Sequence, residues 1–424
     1  MSTSVRLQTA PQSPTALVPR PRWPARHFHG IGYVLAILLV GTNMPTALYG
    51  VYRAEFGFSP VTQTAIFAVY AAALVPTLFL FGPLSDRVGR RPVLVVALLA
   101  GAVGAIVLAS AGSTAWLFAG RILQGIAVGA CSAAGTAALL EHVPGRDPVR
   151  ASRAATASTA LGAALGPMFA GTVAEYLPYP TVLPYVLFTV ALLPGVVALV
   201  LLPPRAGGSS VGGRLIELPR VPRAIRTVFL LATFPSAVVW AAVGLFQSVV
   251  PSWMSEMLGV SNLLVGAGAA AIVMSCSVVA QLSMRRLDPI VAQRIGLALM
   301  VAGMVGVVVV DRVRNLPLLF VVAIAVGVGH GLAFAGGMQR VGTAIATHAP
   351  YAGGSVLAAF FTLTYLGTGV PAVAAGLLMT YQGTSAAIME FAVATALVCL
   401  IALALNMIRR RDGAEKPDGG AREG

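Results

Sequence analysis

Charge is what this chain has least of. Asp, Glu, Lys and Arg make up only 10% of its 424 residues, against 57% hydrophobic residues, and the mean hydropathy is +0.86. A water-soluble domain carries about a quarter of its residues as charges, so that class is excluded. In hydrocarbon every backbone N–H and C=O must find a partner inside the protein, which leaves helices or a closed barrel. The apolar runs last about 20 residues instead of alternating over about 10, which selects helices. Lysine is nearly missing, with Lys416 standing against 27 arginines; with the richness in Ala, Gly and Val this reads as GC-rich bacterial coding. Cysteine is scarce too. Cys131, Cys276 and Cys399 lie in apolar stretches at spacings that make neither a metal site nor a disulfide framework, and they are read as packing residues. No intramembrane pair of carboxylates and no His/Asp/Glu set appears, so the sequence offers no enzyme active site, no metal and no cofactor.

What is present is a pattern of twelve apolar spans, placed at about 29–51, 60–82, 93–111, 115–139, 153–174, 182–202, 227–250, 259–284, 291–310, 316–338, 353–379 and 384–407. The expected fold is an all-α integral membrane protein of two pseudo-symmetric six-helix halves, 29–202 and 227–407. Residues 1–28, with five prolines, four arginines and no acid, read as a disordered tail, and 408–424 as a second tail. Residues 203–226 hold Gly207, Gly208, Ser209, Ser210 and five arginines, the composition of a flexible linker. The net charge of +14 points to the membrane rather than to nucleic acid, because the arginines cluster between spans. With the first tail inside, 24 Lys/Arg fall on inner segments and only Arg53, Arg312 and Arg314 on outer loops. That asymmetry predicts both termini in the cytoplasm, in a cell membrane.

The segment Gly82–Leu94 reads GPLSDRVGRRPVL, a short charged loop between spans two and three. Gly82 and Gly89 permit tight turns and close helix approach. Asp86 is an anion suited to meet the positive end of a helix, and Arg87, Arg90 and Arg91 supply the positive charge. After span eight the chain runs AQLSMRRLDP, an echo in which Met284 stands where the first copy has Asp86. Span four contains RILQGIAVG, with Arg121, Gln124, Gly125 and Gly129; a guanidinium inside a span is costly and by default functional. Span five contains GAALGPMFAG from Gly162 to Gly171, where small residues at four-residue spacing allow close packing and Pro167 bends the helix. Val370-Pro371 in span eleven echoes Gly166-Pro167.

Gly82 to Arg91 fills almost every position of the pattern G-x-L-a-D-R-x-G-R-[RK], and it resembles the signature after span two of the major facilitator superfamily of secondary transporters. The chain is similar to the twelve-span drug/proton antiporters of that superfamily. The resemblance implies that Asp86 meets the start of span eleven, near Gly353 to Ser355, and that Arg90 pairs with an acid at the end of span four, where Glu141 stands. Gly82, Asp86, Arg87, Gly89, Arg90, Arg91 and Glu141 would then latch the two halves together. It further implies that Arg121 influences proton transfer, and that Gly162, Gly166, Pro167 and Gly171 form an antiporter motif associated with export, with Ala170 departing from the pattern.

The same resemblance makes spans one, four, seven and ten the walls of a central cavity. On span one Thr42, Thr46 and Tyr49 share a face beside Asn43; on span seven Ser236, Trp240, Gly244 and Gln247 do so; Gln124 and His330 face the cavity from spans four and ten. These neutral and aromatic surfaces suit amphipathic or uncharged solutes. Span one lacks the acid that many drug/proton antiporters carry there, leaving Arg121, His330 and Glu390 as candidates for proton coupling; an imidazole titrates near about 6.5 when unperturbed. The expected function is proton-driven efflux of small amphipathic or drug-like molecules by alternating access, from a monomer in the lipid bilayer with the proton gradient as energy source. The alternative is a proton symporter importing a small metabolite such as a sugar or an organic acid.

Overall fold

The computed structural model describes residues 24–203, 220–284 and 287–414. Most of the expected tails and linker lie outside them. Among the described residues all regular structure is helical. Span one is two helices, α1 (Ala25–Asn43) and α2 (Pro45–Phe56), followed by α3 (Pro60–Val88), α4 (Arg90–Ala109), α5 (Thr114–His142) and α6 (Pro148–Tyr176). Span six is split into α7 (Leu183–Ala191) and α8 (Leu193–Val200). The second half repeats the order with α9 (Arg226–Ser248), α10 (Val250–Leu258), α11 (Leu263–Ser283), α12 (Pro289–Val313), α13 (Leu316–His348), α14 (Gly353–Gln382) and α15 (Thr384–Ala414). Twelve spans are long and apolar enough to cross a membrane, as the sequence predicts.

Most helices overrun the expected spans, and one difference matters. The segment after span two is expected as a loop, but it is helical through Val88, and Gly89 alone separates α3 from α4. The 29 residues of α3 make a rod of roughly 44 Å, longer than a hydrocarbon core of about 30 Å. Its last turns therefore leave the apolar layer without leaving the helix. Gly89 takes φ 94°, a conformation open to glycine at little steric cost, and the chain reverses there. The first and last helices also overrun: α1 begins at Ala25 and α15 continues to Ala414, whereas α11 (Leu263–Ser283) stays within its expected span.

Spans one and seven are interrupted at matching places. Met44 precedes Pro45 in one and Val249 precedes Val250-Pro251 in the other, and each short second helix ends on a left-handed glycine, Gly57 or Gly259 (both φ 65°). The next helix is then capped by a side chain: Ser59 accepts from Thr62 N, and Asn262 from Val265 N. Each half has its own core, around Leu35, Tyr49, Tyr52, Leu94, Leu139 and Tyr185 in the first and Phe246, Trp253, Met300, Met304 and Leu319 in the second. Exposed Leu99, Ile106, Val190, Val279, Val321 and Ile401 form part of the outer surface, the arrangement expected where the solvent is lipid rather than water.

Candidate functional site

The two halves meet along α6 against α11 and α3 against α14, and missing side chains make the contact possible. A Cβ on Gly162 would lie 2.4 Å from Ala36 O, and one on Gly166 2.5 Å from Val40 O, so these two glycines seat α6 on α1 within the first half. One turn beyond Pro167, a Cβ on Gly171 would lie 2.9 Å from Ala267 in α11, across the interface. The second half does the same in mirror order. Gly367 seats α14 on Ala237 of α9, while Gly376 seats it on Thr64 and Pro60 of α3.

Polar groups seal one end of this interface, the end carrying Arg53. Arg53 Nη1 lies 2.8 Å from Glu256 Oε1, joining α2 to α10, and Glu256 Oε2 accepts from Thr384 Oγ1 at 2.7 Å. Gln63, 2% exposed, donates to Ser248 O at 2.6 Å and to Ser252 Oγ at 3.1 Å. Glu175 accepts from Leu263 N at 2.8 Å, which also serves an N–H at the start of α11. At the opposite end, which carries Arg90, bonding is different. Arg90 lies 2.5 Å from Asp86 and 3.2 Å from Glu141 Oε1, and donates to Ser85 Oγ at 2.6 Å, all inside the first half. The pairing of Arg90 with Glu141 is present. Asp86 is 57% exposed and holds Arg90, while at the start of α14 Ser355 is bonded to the backbone of Arg220. In this conformation Asp86 and α14 make no bond. Gly82 and Gly354 face open space, Arg87 is engaged, and Arg91 lines a cavity of about 370 Å³ with Arg90, Glu141, His142 and Leu202.

Between the ends, a strip of polar and aromatic side chains crosses from one half to the other. It starts at Arg121, 2% exposed. Pro45 has no N–H for Gly41 O, and Gln124 Nε2 takes that carbonyl at 2.8 Å; Arg121 Nη1 takes the neighbouring Thr42 O at 2.6 Å and Gln124 Oε1 at 2.8 Å. Arg121 Nε reaches Ile66 O at 3.4 Å, and its guanidinium lies 4.7 Å from the centre of the Tyr70 ring, a cation–π distance. Tyr70 and Tyr365, from opposite halves, pack on the same small cluster of Leu39, Leu74 and Val128. Tyr365 lies 6.2 Å from Trp240, and Trp240 packs edge-on at 4.6 Å against His330. His330 in turn bonds Ser277 Oγ through Nδ1 at 2.7 Å, with Gln281 behind it, and stacks on Phe334. Trp240 Nε1 and His330 Nε2 are buried with no partner among the described residues. A buried unpaired polar group costs about 1–3 kcal/mol, so the strip holds two unmet bonds in its second half.

Residues 30–370 match the family model of the major facilitator superfamily. The chain belongs to the major facilitator superfamily. It is a multi-pass membrane protein of that superfamily. It is 30% identical over 97 residues to the multidrug resistance protein MdtL of Klebsiella pneumoniae (strain 342), covering 22% of this chain and 25% of that protein. It is also 30% identical over 155 residues to the class B tetracycline resistance protein of Escherichia coli, covering 35% of each. These matches span only a quarter to about a third of the relatives' length. Among solved structures, a mutant of the peptide transporter POT superposes with TM-score 0.73 at 16% identity, over 91% of this chain and 95% of that one. A bacterial homologue of the human lysosomal transporter Spinster gives 0.71 at 14%, over 92% and 97%. At these identities the likeness is one of fold.

Within this superfamily member the remaining candidates are distributed as follows. Thr42 and Asn43 bond back to Leu38 O and Leu39 O of their own helix, Thr46 is buried, and Tyr49 sits in the first core. Ser236 bonds Ala232 O, Gly244 admits Thr368 of α14, and Gln247 is buried. Glu390 is exposed, and Gln382, with its amide turned to donate, reaches it at 2.7 Å near the Arg53 end; it is separate from the strip. Sequence reading missed Tyr70, Tyr365, Phe334, Ser277 and Gln63. Gln63 alone left a signal, as an amide inside an otherwise apolar run.

Proposed function

We propose that this chain is a secondary active transporter that exports small amphipathic or drug-like molecules in exchange for protons, by exposing the strip between its halves alternately to the two sides of a bacterial cytoplasmic membrane. The observation that carries this reading is the strip itself. It runs from Arg121 through Tyr70, Tyr365 and Trp240 to His330, spans the interface of two bodies sealed at one end, and offers ring faces and neutral hydrogen-bonding groups. Such a surface holds flat, apolar molecules with a few polar atoms. Partial likeness to proteins named for drug resistance supports export as the direction. The glycine-rich face of α6 and the latch of Asp86, Arg90 and Glu141 supply the moving joint, with both termini in the cytoplasm.

The coupling proton is assigned to His330. Arg121 is held by neutral oxygens and a ring, an arrangement that suits orienting a bound molecule. Glu390 lies apart from the strip. The test is accumulation of a broad dye and antibiotic panel in expressing cells, with and without an uncoupler. Lower accumulation of some compounds, abolished by the uncoupler, is expected; equal accumulation with the protein confirmed in the membrane rejects export. In the same assay His330→Gln is expected to flatten the dependence of efflux on external pH, and an unaltered pH profile removes His330 from coupling.

A further inference from the structure

The second half contains a cationic site that the transport strip does not use. Near the Arg90 end, three helices converge on Asn406. Arg340 of α13 donates through Nη1 to Asn406 Oδ1 at 2.7 Å and to Gln293 Oε1 of α12. Gln293 is fully buried and is anchored in turn to Ala232 O of α9 at 2.9 Å. Arg294 of α12 donates through Nη2 to the backbone oxygen of Asn406, and its Nε is buried without a partner. Two guanidiniums are thus fixed beside one another by amides and a carbonyl, and every one of these acceptors is neutral.

Asp288 lies close enough to Arg340 to act on its charge, without an ion pair between them. Neither arginine forms an ion pair among the described residues. The nearest acid in sequence, Asp288, accepts from Ile290 N and Val291 N at the start of α12. Each guanidinium has five N–H donors; among the described residues Arg340 bonds through Nη1 alone and Arg294 through Nη2 alone. Half-buried positive charge with open donors calls for an anion with several oxygens, and a phosphate group matches the planar fork of arginine.

The surroundings choose the source of that phosphate. Ile290 and Ile295, near Arg294 along α12, and Leu405 and Met407, on either side of Asn406 along α15, are exposed large hydrophobics. A free phosphate gains nothing from them, whereas acyl chains lie along such a surface. Basic pockets between helix ends bind anionic headgroups in this way. We infer that Arg294 and Arg340, framed by Asn406, bind the phosphodiester of an anionic phospholipid whose chains lie on Ile290, Ile295, Leu405 and Met407.

The site can be tested by native mass spectrometry of the full chain released from nanodiscs of phosphatidylglycerol and phosphatidylcholine. The wild type is expected to retain phosphatidylglycerol preferentially. Arg294→Gln with Arg340→Gln is expected to reduce that retention about 25-fold, from roughly fivefold per arginine, with phosphatidylcholine retention unchanged. If the double variant does not fold, Arg294→Gln alone serves, because Arg294 bonds only a backbone oxygen here; a roughly fivefold loss is expected. Equal retention of the two lipids by the wild type, or retention unaffected by the substitutions, overturns the site. Inorganic phosphate protecting the detergent-purified protein against heat as well as phosphatidylglycerol does, through the same arginines, assigns it to a soluble anion and overturns the lipid reading.

Discussion

The two ends of the interface use similar chemistry for opposite purposes. At the Arg53 end, an ion pair, a buried glutamine and a helix-capping glutamate each reach from one half into the other. At the Arg90 end, the charges of the signature segment close on one another inside the first half. Glycines show the same split: Gly171 and Gly376 are filled by the opposite half, whereas Gly82 and Gly354 face open space. This conformation is therefore held by its Arg53 end. In the proposed exporter, latch charges satisfied within one half can part from the other without leaving an orphaned charge, which is what a two-state joint requires. In the alternative conformation the roles should exchange, with Asp86 free to turn to the first turn of α14 and the Arg53 end parted.

The largest effect is expected at Gly376. A Cβ there would lie 2.0 Å from Thr64 Oγ1 and 2.9 Å from Pro60 O, and the backbone oxygen cannot rotate away. Overpacking of this kind costs about 1–3 kcal/mol or more, so Gly376→Leu should insert normally yet lose transport by at least about tenfold, with cysteines placed near Gln63 becoming reactive from the Arg53 side. Normal transport and no labelling would show that the Arg53 end is not a seal. The next effect tests the other end. A Cβ on Gly82 meets no atom within 4 Å in this conformation, so a loss on Gly82→Leu is expected to arise mainly in the opposite one. Transport is expected to fall about fivefold while thermal stability of the purified protein is unchanged. Unimpaired transport would mean that α3 never closes on its neighbours at the Arg90 end.

Much of this is legible in the sequence because hydrocarbon constrains so strongly. Twelve spans, two halves and the pairing of Arg90 with Glu141 follow from run length, charge placement and the signature segment. The break after span two misleads because charge marks where a helix leaves the apolar layer, not where it stops; the helix ends only at Gly89. The repeat of helix ends at the Arg53 side, Gly57 with Ser59 and Gly259 with Asn262, is visible but weak, since only the glycine and a capping side chain recur. The strip is legible in part. Arg121, Trp240 and His330 are conspicuous as polar or large residues on wall helices, but Tyr70 and Tyr365 lie on spans two and eleven. Their role depends on how the two halves dock, and a tyrosine in an apolar run carries no sign of which neighbour it will meet. Two of the neutral acceptors that hold Arg121, Thr42 O and Ile66 O, are backbone oxygens, and backbone leaves no residue-type signal.

The smallest effect separates the ion pair from the rest of the seal. Arg53 and Glu256 are 28% and 38% exposed, so solvent screens them, and exposed pairs contribute about 0–1 kcal/mol. Glu256 stays anchored to Thr384 when Arg53 is removed, and Gln63 still bridges the halves in a buried setting. Arg53→Ala should therefore change the rate of transport by no more than about twofold. That change should disappear in about 1 M salt, where the screening length is about 3 Å. A tenfold or salt-independent effect would place the seal in the charged pair and reduce Gln63 and the glycines to packing. The expected result places it in the close approach of α3 to α14 and α6 to α11, with the ion pair setting only how readily α2 and α10 find each other.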